Sequence, residues 1–201
     1  MPDLMTILAN LGSQIAPVIM ALQVIAGLMG LYLTIGALYE FFGVSNPNMT
    51  KYLAGGERFS VGGGIMQLCI GACLLSMSTL EMVGILSRTL TDDYANSRFL
   101  SYTAQNATFE EQRLAALHTL LGIMQIVGFV SMTKGWMTFN AIAHQKTQAS
   151  KGIAFGWLIG GLLAWNFKWF TDVLNCTAGY NIIGIFTPYG VANACKAAVP
   201  F

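Results

Sequence analysis

Four long apolar runs constrain this chain more than any other feature: about Pro17 to Phe42, Val61 to Leu80, Leu114 to Thr133 and Gly152 to Phe170. A helix rising 1.5 Å per residue needs roughly 20 residues to cross the hydrocarbon of a bilayer. Such a helix pairs its backbone N–H and C=O groups internally, as hydrocarbon demands. The rest of the chain offers no alternative, because charged residues make up only 9% of the 201. Soluble domains carry about 25%, so a water-facing surface of ordinary polarity is out of reach. The reading is an all-α membrane protein, a single membrane domain of four transmembrane helices that pair as two helical hairpins.

Ahead of the first span, Asp3 can cap a helix whose apolar residues Leu4, Ile7, Leu8, Leu11 and Ile15 share one face. That pattern predicts a separate amphipathic helix over residues 3–16, lying at the membrane interface. The first basic residue is Lys51, so no cleaved leader is expected. Ile70-Gly-Ala-Cys73 resembles a lipoprotein cleavage box only by coincidence, because it lies inside an apolar run.

Orientation follows from the basic residues. Lys51 and Arg58 lie between spans one and two, and Lys134, Lys146 and Lys151 lie around the link between spans three and four. Both termini are therefore expected outside the cytoplasm of a bacterial inner (cell) membrane. Residues 87–113 then form a periplasmic loop and residues 171–201 a periplasmic tail. Thr108-Phe-Glu-Glu111 is a capping box that would open the third helix. In the tail, Cys176 and Cys195 are placed to form a disulfide in an oxidising compartment. Cys69 and Cys73, four apart on span two, read as buried inert thiols.

No chemistry emerges from the side chains. His118 and His144 have no nucleophile paired with them by any local pattern, and Cys69 and Cys73 have no His or acid nearby to complete a metal site. Glu40, Glu81, Lys134, Lys168 and Asp172 all fall near span ends, where each can reach a headgroup region. The mid-span polar residues Gln23, Gln67, Gln125 and Ser131 suit helix-to-helix hydrogen bonds. Neither an enzyme nor a cofactor is expected. A net charge of +1 offers no electrostatic footprint for direct nucleic-acid binding.

Glycine is the residue that stands out, with 22 copies. Gly152, Gly156 and Gly160 form one stripe on span four, with Gly161 beside it, and small stripes let helices approach closely in lipid. They are the expected helix-packing interface, either within the chain or in a homo- or hetero-oligomer. The two halves also look alike. Leu28-Met-Gly30 parallels Ile126-Val-Gly128, and Ile70-Gly-Ala-Cys-Leu-Leu75 parallels Ile159-Gly-Gly-Leu-Leu-Ala164, as a duplicated hairpin would.

Two stretches carry a family resemblance: Ile126-Val-Gly-Phe-Val-Ser-Met-Thr-Lys-Gly-Trp136 and Gly160-Gly-Leu-Leu-Ala-Trp-Asn-Phe-Lys-Trp-Phe170. A span ending in Gly-Trp, then a Gly-Gly span leading to Ala-x-Asn, resembles the IcmC/DotE family of type IVB secretion systems and the TraQ-like proteins of IncI-type conjugation. Leu8-x-Asn-Leu11 ahead of an Ile-x-Gly span fits as well. The resemblance implies a structural inner-membrane subunit that contacts lipid and other secretion or conjugation subunits. Alternatives are a pilin-like subunit that polymerises into a conjugative pilus, and a small membrane channel or transporter.

Overall fold

The computed structural model describes residues 4–45, 61–91, 109–144 and 148–178. Among these, six helices follow one another and no strand occurs: α1 (Leu4–Ser45), α2 (Val61–Ser78), α3 (Glu81–Thr91), α4 (Phe109–Ala143), α5 (Lys151–Trp165) and α6 (Phe167–Ala178). Three stretches are long and apolar enough to cross a membrane: Pro17–Ser45, Val61–Ser78 and Thr119–Ala143. Lys151–Trp165 is apolar but shorter. The outer surface suits hydrocarbon. On α1, Val24, Leu28 and Tyr32 are 62%, 64% and 75% exposed, an arrangement water would penalise and lipid does not.

The break expected at residue 16 is absent, because α1 runs through Pro17 as one helix of 42 residues. Packing against α4 accounts for this. Ile15 is buried against Gly122, and Gly12 lies against the Thr119 side chain. The expected apolar face is split, with Ile15 buried while Ile7 and Leu11 are exposed. Proline inside an apolar helix is tolerated where neighbouring helices hold the segment.

Further boundaries also differ from the sequence reading. α2 ends at Ser78, where Leu80 takes a positive φ of 60° and its N–H bonds Met77 O at 3.1 Å. That is a left-handed helix cap, usually a glycine's place. α3 and the start of α4 occupy both ends of the expected 87–113 loop, and the expected tail begins as α6, helical to Ala178. α4 continues ten residues past Thr133 to Ala143. Lys134 does not end it, because the side chain lies along the outside and sets its ammonium 4.0 Å from the centre of the Trp157 ring. The proposed cap residue Thr108 lies outside the described residues, directly ahead of the helix start at Phe109.

The chain forms two compact units. One comprises Leu22–Met82 and Ser131–Ile159, the other Met1–Ala21, Val83–Val130 and Gly160–Phe201. In the first, α1 and α2 meet backbone to backbone. A Cβ on Gly30 would fall 2.8 Å from Leu75 N and 2.9 Å from Gly71 O. In the second, α4 and α5 meet the same way, since a Cβ on Gly128 would fall 2.7 Å from both Gly161 O and Trp165 N. Each crossing uses one glycine on the first helix, and on the second a glycine carbonyl and the N–H four residues later. The suspected hairpin repeat thus recurs as an identical contact, with its register one residue on from the sequence match: Gly161, not Gly160, corresponds to Gly71.

Candidate functional site

The glycines divide into two groups. Gly12, Gly27, Gly30, Gly36, Gly63, Gly64, Gly71, Gly122, Gly128 and Gly135 all lie where a Cβ would meet another helix. Gly36 makes room for the Gln67 amide, so that the mid-span glutamine packs between α1 and α2. Gly152, Gly156 and Gly160 differ. All three are exposed, and among the described residues a Cβ on Gly156 or Gly160 would meet nothing within 4 Å. Gly161 is buried at the Gly128 crossing. The expected stripe therefore separates: Gly161 works inside the chain, and the other three point away from it. Ile153, Phe155 and Ile159 on the same helix are exposed too.

The thiols do not sit as expected. Cys69 is exposed and Cys73 half-buried, both free, because α2 turns Gly63, Gly64, Gln67, Ile70, Gly71, Leu74 and Met77 inward instead. Cys176 is half-buried on α6, and Cys195 lies outside the described residues.

Two polar clusters emerge that the sequence reading left unassembled. In the first unit, Glu40 near the end of α1 meets His144 just past the end of α4, with Oε1 3.2 Å from Nδ1. Both side chains are about five-sixths buried against Gly63 and Gly64, in the first turn of α2. The positive end of the helix dipole favours an anion there. Three atoms of this cluster are buried with no hydrogen-bond partner: Glu40 Oε2, Asn140 Oδ1 and His144 Nε2.

In the second unit, polar side chains fill much of the interior. Ser87, Thr119, Gln125, Asn166, Thr171, Asp172 and Asn175 are all buried there, whereas among the described residues of the other unit Gln67 is the one buried polar side chain. Asn166 sits at the turn between α5 and α6. Its amide donates to Leu162 O at 3.1 Å, and its carbonyl oxygen accepts from the Ser87 hydroxyl. Thr171 donates to Lys168 O at 2.7 Å. Asp172 was expected beside Lys168 at a headgroup. The two remain close enough for their charges to interact, but they differ in burial, with Lys168 exposed and Asp172 only 4% exposed. Burial raises the Asp172 carboxyl above the usual carboxylate range, and the positive charge of Lys168 opposes that rise. Among the described residues no three His, Cys, Asp or Glu side chains gather as metal ligands. The His118 side chain lies outside what the structure describes.

No protein-family profile, curated protein or solved structure matches this chain.

Proposed function

We propose that this chain is a structural subunit of a type IVB secretion or conjugation apparatus, a four-span protein of the bacterial inner membrane with both termini periplasmic. The observation that carries the assembly role is the outward glycine stripe. Ten glycines lie in close internal packing, and Gly152, Gly156 and Gly160 form a stripe of small residues that the described residues leave exposed. A second copy of the chain, seated stripe to stripe, is the partner this surface fits. The family resemblance supplies the apparatus. The fourth span is α5 continued by the first turn of α6, together long enough to cross, which leaves Asp172 beyond its outer end. Cys176 then lies on the oxidising side, where it pairs with Cys195 while Cys69 and Cys73 stay free. The buried polar interior of the second unit favours the channel or transporter reading as the alternative.

Crosslinking tests the stripe. In a chain carrying Cys69→Ser and Cys73→Ser, Gly156→Cys should form a covalent dimer when native membranes are oxidised. Leu28→Cys, exposed on α1, serves as the control and should remain monomeric. A Gly156→Cys chain that stays monomeric while Leu28→Cys dimerises would remove the stripe as the contact.

Reporter fusions test the orientation. Alkaline phosphatase joined after Phe201 should be active, and joined at Gln148 it should be silent. The opposite pattern would invert the topology and take the tail disulfide with it.

A further inference from the structure

From Gln112 to Thr171 the chain contains no acidic residue, while Arg113, Lys134, Lys146, Lys151 and Lys168 all fall within that stretch. Of these, Lys134 lies inside an apolar span, Thr119–Ala143, and not at a helix end. Gly135 packs against Leu158, which sets this part of α4 level with Trp157 of α5. At 1.5 Å per residue, that level is about 9 Å along α5 from its first residue, Lys151. Both side chains are exposed, Trp157 by 38%, with Lys134 Nζ 4.0 Å from the ring centre. Ile153, Phe155 and Ile159 along the same helix are exposed as well, so this surface suits hydrocarbon. An unpaired ammonium is costly there. The ring face offsets only part of that cost, because it offers a quadrupole and not a charge. Among the described residues of this unit the acids are Glu40, which His144 holds, and Glu81 at the start of α3, and neither pairs with Lys134. A second copy of the chain brings no acid to this level either, since the same stretch is acid-free in every copy. The counter-charge must come from a molecule that is also at home among apolar side chains. An anionic phospholipid meets both conditions, with a phosphate for the ammonium and acyl chains for the surface around it.

We propose that Lys134 and Trp157 form a binding site for an anionic phospholipid. The ammonium donates a charge-assisted hydrogen bond to the lipid phosphate, and the indole ring holds the ammonium at the surface. Basic positions between membrane helices are where acidic headgroups are held. The site rests on the chain lying in a bilayer, and it is independent of the apparatus proposed above.

Native mass spectrometry of the full chain, released from detergent micelles, tests the site. The chain is titrated with phosphatidylglycerol and, separately, with phosphatidylcholine of the same acyl chains, whose phosphate is balanced by its own choline. The first phosphatidylglycerol should bind about tenfold more tightly than phosphatidylcholine, the difference one charge-assisted hydrogen bond makes. Lys134→Gln should bring phosphatidylglycerol down to the phosphatidylcholine level, and Lys134→Arg should keep the preference. Lys168→Gln removes the same charge from an exposed position on α6 and should also keep it. Inorganic phosphate should not displace the lipid. A Lys134→Gln chain that retains the preference would overturn the site. Equal losses in Lys134→Gln and Lys168→Gln would overturn it too, reducing the effect to net charge. Equal binding of the two lipids by the unaltered chain would leave only general lipid contact, whereas binding of neither would remove the bilayer placement itself. Displacement by inorganic phosphate would replace the lipid with a free anion as the occupant.

Discussion

Gly128→Leu is expected to yield no folded protein, whereas Gly156→Leu should insert and fold at the level of the unaltered chain. The two glycines lie on adjoining helices and differ only in what they face. At Gly128 a Cβ would sit 2.7 Å from Gly161 O and Trp165 N and 3.1 Å from Trp165 Cα. Every one of these is a backbone atom, so no side chain can swing aside. Leucine must push α5 away from α4, and the neighbouring contact between the Phe129 and Trp165 rings, 6.4 Å apart, goes with it. Overpacking that moves a helix costs about 3 kcal/mol or more, a large part of an ordinary protein's stability. At Gly156 the same side chain enters open space, and in hydrocarbon leucine is at home. Thermal unfolding in micelles should show the Gly156→Leu midpoint unchanged, while crosslinked assembly and DNA or protein transfer are lost. A Gly156→Leu chain that assembles normally would mean that lipid alone covers the stripe. A Gly128→Leu chain that folds normally would mean that the α4–α5 crossing is looser than the backbone distances imply.

How much of this was legible in the sequence depended on what each signal measures. Hydropathy measures solvent, and it placed the apolar runs well, with the start of α2 at Val61 in agreement. Hydropathy is blind to packing, and the misplaced boundaries are packing effects. Pro17 looked like a break, but Ile15 and Gly12 hold the helix against α4 on its N-terminal side. Lys134 looked like an end, but its charge rests on Trp157 and the helix goes on to Ala143. The hairpin repeat was visible as letters, yet Gly160-Gly161 offered two registers, and only backbone contact with Gly128 selects the second. The same ambiguity hid the division of the glycine stripe. Lys168 and Asp172 share one helix as their four-residue spacing suggests, but spacing does not show depth, and the structure buries Asp172 while Lys168 stays exposed. Glu40 and His144 do not read as a pair in the sequence, because an apolar run ending at Thr133 leaves His144 eleven residues beyond it, in what looks like a link.

That pair yields the second large effect. His144→Ala is expected to destabilise the protein by about 2 kcal/mol, since it leaves both oxygens of a largely buried carboxylate without a described partner. Glu40→Met should cost a similar amount, because it strips the imidazole of its acceptor and leaves a buried polar ring. The two losses should not add. Replacing both members of a buried pair by apolar groups is often close to neutral, because the desolvation that opposed the pair disappears with it. Glu40→Met with His144→Leu should therefore unfold near the unaltered midpoint, giving a coupling energy of about 4 kcal/mol in the double-mutant cycle. Thermal unfolding of the four proteins in one detergent measures this directly. Strictly additive losses would show that the 3.2 Å approach of Oε1 to Nδ1 contributes nothing beyond what each side chain packs against. Coupling of the expected size would make the pair a clasp between the end of α1 and the end of α4. The bare first turn of α2, Gly63 and Gly64, is what leaves room for that clasp: a side chain at either position would press on the Glu40 carboxylate, with its Cβ 3.2 to 3.4 Å from Oε2.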